Sequence, residues 1–297
     1  MTDSLSRRWL EVALNGPWTR RYQPRIPITE REIIDEAVAC VHEGASIVHV
    51  HAYDPQTGRQ KDDPDAYTRI IEGVRNRVDA IVYPTVPFAA ASDGPGASAV
   101  DDRFHVIEVL GKRGLLEWSV VDLGSLNFIS EAELMNGENG FVHTNTVPEI
   151  RRNLELAATH GFHPSYTIYE PGFLRMGALM HRAVPGLHRP IYRLMFTDIY
   201  TFGFRPDAQS AAVYLALLAQ CDAGMPWMVA GLGVDIAPLL PYALERGGHI
   251  RVGLEDLPPG ATVSNVDCVK SAARLAYGSG YALASAAEIR AALQGGR

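Results

Sequence analysis

The chain has little that would tie it to an oxidising compartment, a nucleic acid or a membrane. It holds three cysteines, Cys40, Cys221 and Cys268, widely spaced and with no CxxC pair. That usage excludes a disulfide framework and reads as small buried side chains in a reducing cytoplasm. Basic residues are outnumbered by acidic ones, 27 to 34, and the net charge of −7 offers a polyanion no footprint. No apolar run reaches the ~18 residues of a spanning helix, and residues 1–8 are polar. The expectation is a soluble cytoplasmic protein with small-molecule partners, and neither nucleic acid nor membrane among them.

What is present is a composition for a large core, 47% hydrophobic and 21% charged. Short β-like runs fall at residues 10–14, 45–51, 80–85, 118–123, 165–169, 194–200, 227–232 and 249–254. Between them lie helical periodicities, one opened by the capping-box pair Thr29 and Glu32, others over 64–77, 104–110, 147–159, 208–218 and 264–277. Alternating strands and helices also suit a doubly wound sheet, but eight βα units in register predict closure. The reading is an α/β fold, a single (β/α)8 TIM barrel over residues 1–297 with a short polar extension at about 1–8. Residues 89–101, rich in Ala, Gly, Ser and Pro, follow the third strand and read as a mobile lid or a tolerated surface insertion.

Side chains two apart on a strand share a face, so His49 and His51 in Val48-His49-Val50-His51 point the same way at a strand's end. Paired imidazoles there suit a divalent transition metal, or else serve separate packing and hydrogen-bonding roles. In a barrel, residues at strand C-termini are the ones to read as catalytic. That rule gathers Thr85, Asp122 and Glu170 with the eighth strand's Arg251-Val252-Gly253-Leu254-Glu255-Asp256. Alternation puts Arg251, Gly253 and Glu255 on one face. Glu255 can then complete a two-His, one-Glu set with an open position, a catalytic zinc composition. Asp256 can bridge back to Arg251, as catalytic partner or as structural ion pair. The other histidines lack ligand spacing. The glycines of Gly231-Leu232-Gly233 and Gly247-Gly248 are weak phosphate-loop signals and read first as helix caps.

With these residues in view, the chain resembles the β-keto acid cleavage enzymes over nearly its whole length. The resemblance rests on Ala13-Leu14-Asn15-Gly16, Ile28-Thr29, Gly44 through His51, Asp54-Pro55-Gln56-Thr57-Gly58 and Gly124-Ser125-Leu126-Asn127-Phe128. It continues through Trp227 to Gly233 and the long motif from Gly247 to Asp256. It implies a zinc-dependent barrel, a homo-oligomer, that exchanges the acyl part of a β-keto acid with acetyl-CoA and releases acetoacetate. His49, His51 and Glu255 then fall on the zinc ligands, Arg251 and Asp256 on the catalytic dyad, and Thr85, Asn15 and Glu170 among substrate-binding positions. An arginine is too basic to act as a base unaided, so Asp256 would assist it.

Several positions depart from that pattern. The acid expected after the first strand is Trp18, the hydroxyl expected in strand four is Val120, and the acid expected in strand five is Thr167, with Glu170 kept nearby. The glycine pair expected after strand six is replaced by Gly203-Phe204-Arg205-Pro206-Asp207. Thr85 keeps a hydroxyl where the family has serine. Trp18 removes a carboxylate that could pair with an amino group, while Arg205 could receive an anionic group or be a surface cation. Three functions stay open: the CoA-dependent acyltransferase, a metal-dependent lyase or hydrolase that needs no CoA, and a non-catalytic barrel that binds a metabolite.

Overall fold

The computed structural model describes residues 7–88 and 103–294, so the lid expected at 89–101 lies outside the described residues. All eight expected strands form: β1 (Leu10–Ala13), β2 (Ile47–Val50), β3 (Ile81–Pro84), β4 (Trp118–Asp122), β5 (His163–Ile168), β6 (Ile191–Phe196), β7 (Trp227–Gly231) and β8 (His249–Val252). The principal helices are α1 (Glu30–His42), α2 (Pro64–Arg75), α3 (His105–Lys112), α4 (Val147–His160), α5 (Pro171–Ala183), α6 (Ala208–Cys221), α7 (Leu240–Glu245), α8 (Asn265–Gly278) and α9 (Ala286–Gln294). Eight parallel strands flanked by helices give the α/β TIM-barrel class that the sequence predicts. The chain divides into two compact units, Met1–Pro84 with Trp227–Arg297, and Thr85–Pro226.

The first unit orders its strands β3-β2-β1-β8-β7, all parallel. Val12, Val48 and Val82 stand in register and fully buried, and β-branched residues of this kind pack well on a pleated surface covered on both sides. α1 begins at Thr29, whose hydroxyl accepts from Glu32 N while the Glu32 carboxylate accepts from Thr29 N, the reciprocal cap read from the sequence. Arg7–Arg8 pairs in parallel with Ala282–Leu283. The end of the polar extension is therefore a short strand, and Arg8 is buried with Nη2 donating to Leu244 O at 2.8 Å.

The second unit orders its strands β4-β5-β6, also parallel. Asp122, Thr167 and Arg193 stand opposite one another across the three strands. The neighbouring Tyr166 and Tyr192 face the helices: Tyr166 lies against Gly177 of α5, and the Tyr192 hydroxyl donates to Asp222, which caps α6, at 2.6 Å. Alternation turns Asp122, Thr167 and Arg193 to the opposite, helix-free face. An antiparallel pair, Leu126–Phe128 with Phe141–His143, carries the short helix Glu131–Met135 between its strands. Sequence periodicity gives no warning of this excursion, because three-residue strands show no usable alternation.

Candidate metal centre

The first unit brings five of the sequence-selected residues together. β2 carries His49 at its end region and His51 just past it, both nearly solvent-free. Glu255 reaches them from beyond β8. His49 Nε2 lies 3.5 Å from Glu255 Oε1, and His51 Nε2 lies 3.5 Å from Glu255 Oε2. One ligand atom from each of the three residues can be chosen so that all lie within 4.8 Å of one another.

Strand alternation is not what delivers Glu255. β8 ends at Val252, and Gly253 takes φ +144°, where a side chain's Cβ would run into the backbone of Ala13. Only glycine fits that close approach, and the chain turns there to aim Glu255 at the histidines. The shared face expected for Arg251 and Glu255 is thus corrected to a turn at Gly253.

Arg251, 1% exposed, is saturated with carboxylates. Its Nε donates to Asp256 Oδ2 at 3.0 Å, Nη2 to Asp256 Oδ1 and Glu255 Oε1 at 2.8 Å each, and Nη1 to Glu11 Oε1 at 3.0 Å. Glu11 Oε1 also accepts from the Tyr83 hydroxyl at 2.6 Å. Burial works against the guanidinium, but Asp256, Glu255 and Glu11 override it and hold the pKa well above its ordinary value. Burial likewise favours a neutral Glu255, yet His49 and Arg251 beside it keep it well below the usual carboxylate range. Asp256 is pushed up to about 6, by burial against the pull of Arg251 and by the neighbouring charges of Glu255 and Glu11. Burial pushes His49 down to about 3, so it is a neutral imidazole at pH 7.

The cluster leaves several buried polar atoms without partners: His49 Nδ1, His51 Nε2, Glu255 Oε2 and Glu11 Oε2. His51 Nδ1 is 2.8 Å from Gln60 Oε1, an acceptor, which fixes the proton on Nδ1 and turns the lone pair of Nε2 toward Glu255. Three carboxyl groups face one guanidinium here, and the unpartnered atoms whose character is fixed are acceptors. A divalent cation would satisfy both the excess and the acceptors, and two imidazoles with a carboxylate suit zinc. The residues fit the metal.

Asn15 is fully buried and braces His51: Oδ1 accepts from His51 N at 2.9 Å, and Nδ2 donates to His51 O at 3.0 Å and Pro27 O at 3.1 Å. Trp18 Nε1 donates to Glu255 O at 2.8 Å, and its ring stacks on Tyr22. The remaining selected residues belong to the second unit. Thr85 is buried with Oγ1 donating to Val86 O at 3.3 Å, and Glu170 precedes α5 and accepts from Gly203 N at 3.1 Å. Arg205 is 70% exposed along its side chain and lies 3.7 Å from Glu131. Sequence reasoning passed over Glu11, Tyr83 and Gln60. Glu11 carried a signal, a carboxylate inside the apolar run 10–14; Gln60 carried none, since a hairpin of Tyr53–Asp54 with Arg59–Gln60 brings it to His51.

A family profile described as beta-keto acid cleavage enzyme matches residues 8–294. The chain belongs to the beta-keto acid cleavage enzyme family. It is 27% identical to a 3-keto-5-aminohexanoate cleavage enzyme of Fusobacterium nucleatum subsp. nucleatum, over 92% of each chain. It is 25% identical to a 3-oxoadipate:acetyl-CoA acetyltransferase of Cupriavidus necator, over 96% of this chain and 93% of that one. Among solved structures it is similar to the apo form of ObcA, with a TM-score of 0.70 at 16% identity, covering 91% of this chain and 66% of that one. That likeness speaks for the fold alone. The family expected from the sequence motifs is therefore the family found. Among the described residues, no helix is long and apolar enough to cross a membrane.

Proposed function

We propose that this member of the family is a zinc-dependent acyltransferase. It takes a β-keto acid, R–CO–CH2–COO⁻, and acetyl-CoA, and returns the acyl-CoA, R–CO–SCoA, with acetoacetate. The bond between the keto carbon and the α-carbon breaks, the α-carbon gains the acetyl group, and the thioester passes to the acyl part. The observation that carries this reading is the buried set His49, His51 and Glu255, close together and with unpartnered atoms suited to a cation. Family membership and the acetyl-CoA named for the Cupriavidus relative support the co-substrate.

His49, His51 and Glu255 would hold a divalent metal, which would supply Lewis acidity and a template for the substrate. Arg251 and Asp256 are the catalytic pair of this proposal. Asp256 accepts the α-proton, and Arg251, held from two sides by Glu11 and Asp256, keeps that carboxylate aimed and its charge balanced. Glu11 and Tyr83 act through Arg251, and Asn15 and Gln60 act through His51, as positioning residues rather than substrate contacts. Thr85 and Glu170 remain substrate-side residues of the proposal, and Trp18 stands where an acid would have welcomed an amino-substituted substrate.

Metal analysis of the purified protein, with a β-keto acid panel run with and without acetyl-CoA, tests the reading. About one zinc per chain and turnover only with acetyl-CoA are expected. Metal-dependent turnover without thioester would replace the acyltransferase by a lyase or hydrolase. Tight metabolite binding with no turnover would replace it by a binding protein.

A further inference from the structure

The Gln60 amide can face His51 either way round, and a carboxylate on the surface decides which. Gln60 arrives on the hairpin of Tyr53–Asp54 with Arg59–Gln60, where it stands opposite Tyr53. Tyr53 is buried with its hydroxyl against the carbonyls of Gly16 and Trp18, and Lys61 N donates to Ala52 O at 2.9 Å. The backbone therefore fixes where the Gln60 side chain lies. It does not fix which end of the amide meets the ring, because the oxygen and the NH2 group are alike in size and the last torsion is nearly two-fold. Turned one way, the amide accepts from His51 Nδ1; turned the other, it donates to it.

Gln60 Nε2 donates to Asp62 Oδ1 at 2.9 Å, while its Oε1 lies 2.8 Å from His51 Nδ1. A carboxylate only accepts, so beside Asp62 the amide turns its NH2 group outward and its oxygen to the imidazole. The next acid along the chain has other tasks. Asp63 caps α2, accepting from Asp65 N at 2.9 Å, and lies 3.1 Å from the Lys61 ammonium. Asp62, exposed between Lys61 and Asp63, meets the glutamine instead. With the proton held on Nδ1, the Nε2 lone pair of His51, 3.5 Å from Glu255 Oε2, is open to a metal. A reversed amide would draw the proton to Nε2 and block that ligand, since a ligating nitrogen must be deprotonated.

We propose that Asp62 is a positioning residue of the metal centre: by orienting the Gln60 amide it selects the Nδ1–H tautomer of His51, and so raises the affinity for zinc. Carboxylate, amide and imidazole form a relay that runs from solvent to the ligand atom. This rests on the metal-binding reading above. The exposed end of the relay can be changed without disturbing the core. Asp62→Lys puts a donor where the acceptor stood, so the amide turns its oxygen outward and its NH2 group to Nδ1. Asp62→Glu keeps a group that only accepts.

The test is ¹⁵N NMR of metal-stripped protein labelled at histidine, at mildly alkaline pH, with the His51 signals assigned by their absence from His51→Asn. The wild type and Asp62→Glu are expected to carry the proton on Nδ1, and Asp62→Lys to carry it mainly on Nε2. A carboxylate that only steadied the hairpin would leave the tautomer where it is. Zinc affinity, measured by competition with a chelator, is expected to be about tenfold weaker in Asp62→Lys and within about twofold of the wild type in Asp62→Glu. The same tautomer in the wild type and the lysine variant overturns the proposal, and so does a shifted tautomer with unchanged zinc affinity. If the wild type takes up no zinc, the metal-binding reading falls by itself. The tautomer of the metal-free proteins then judges the relay: a shift in Asp62→Lys supports it, and none overturns it.

Discussion

The two units each bury an arginine on a barrel strand, and they treat it in opposite ways. Arg251 is bound by three carboxylates, and the polar atoms left over around it include the Nε2 lone pair of His51 and carboxylate oxygens of Glu255 and Glu11. Arg193 has one hydroxyl and no carboxylate, and what is left over is a donor, its Nε. The atoms left over in the first arrangement include acceptors, and the one left over in the second is a donor. Two buried guanidinium groups on strands of one chain thus differ in what their neighbours leave unpaired, because the neighbours and not the arginine decide it.

The sharpest way to break that comparison is to remove an acceptor from the first cluster. His49→Ala and Glu255→Ala are each expected to lose bound zinc, measured by elemental analysis, and to cut kcat by about 10³-fold or more, about 4 kcal/mol in the barrier. Zinc retained at full stoichiometry would show that the acceptors serve packing alone. Next in size is Gly253→Ala. With φ at +144° and the Ala13 backbone in the way, it should destabilise the fold by about 3 kcal/mol, read by urea unfolding. An unchanged midpoint would mean Glu255 reaches the histidines by another backbone path.

Gln60→Leu removes the acceptor that fixes the His51 tautomer and leaves the three ligands in place. Zinc affinity, measured by competition with a chelator, is expected to fall 10- to 100-fold, about 1.4–2.7 kcal/mol. A comparable effect should separate metal-site histidines from a structural one. His249 stacks on Trp9, accepts from Trp9 N, and is pushed by burial down to about 3. The unfolded chain takes up that proton below pH ~6.5 while the folded chain refuses it, so the stability is whole above 6.5 and is lost as pH falls toward 3. Between pH 7 and 5 this histidine should cost about 2 kcal/mol, seen as the part of the wild-type loss that His249→Asn no longer shows. Smallest of all, Arg205→Ala should change stability by less than about 0.5 kcal/mol and activity by less than twofold, since its carboxylate partner is as exposed as it is. A large loss there would show that Arg205 does receive an anionic group.

Much of this was legible in the residues. The eight strands could be read because each is a short, mostly apolar run between helical periodicities, and the start of α1 because Thr29 and Glu32 cap it reciprocally. His49 and His51 could be paired because a strand's period is two. Glu11 was readable and passed over: a carboxylate in a fully buried strand always asks for a partner. Gln60, Arg193 and the hairpin after β4 were not readable, because their meaning lies in contacts between segments far apart in the chain.

The sequence by itself determined the class of fold, the family and the kinds of side chain at the candidate metal centre, since those follow from local period and motif. Tertiary structure decided which of them act together. Glu255 meets the histidines because Gly253 alone can turn against Ala13, and Asn15 proves to be a brace because its amide is filled by the backbone of His51 and Pro27. Arg193 is buried beside a hydroxyl, and Arg205 is exposed beside Glu131, for the same kind of reason. Burial and the identity of neighbours set the energy of a charge, and neither is written in the order of residues along a strand.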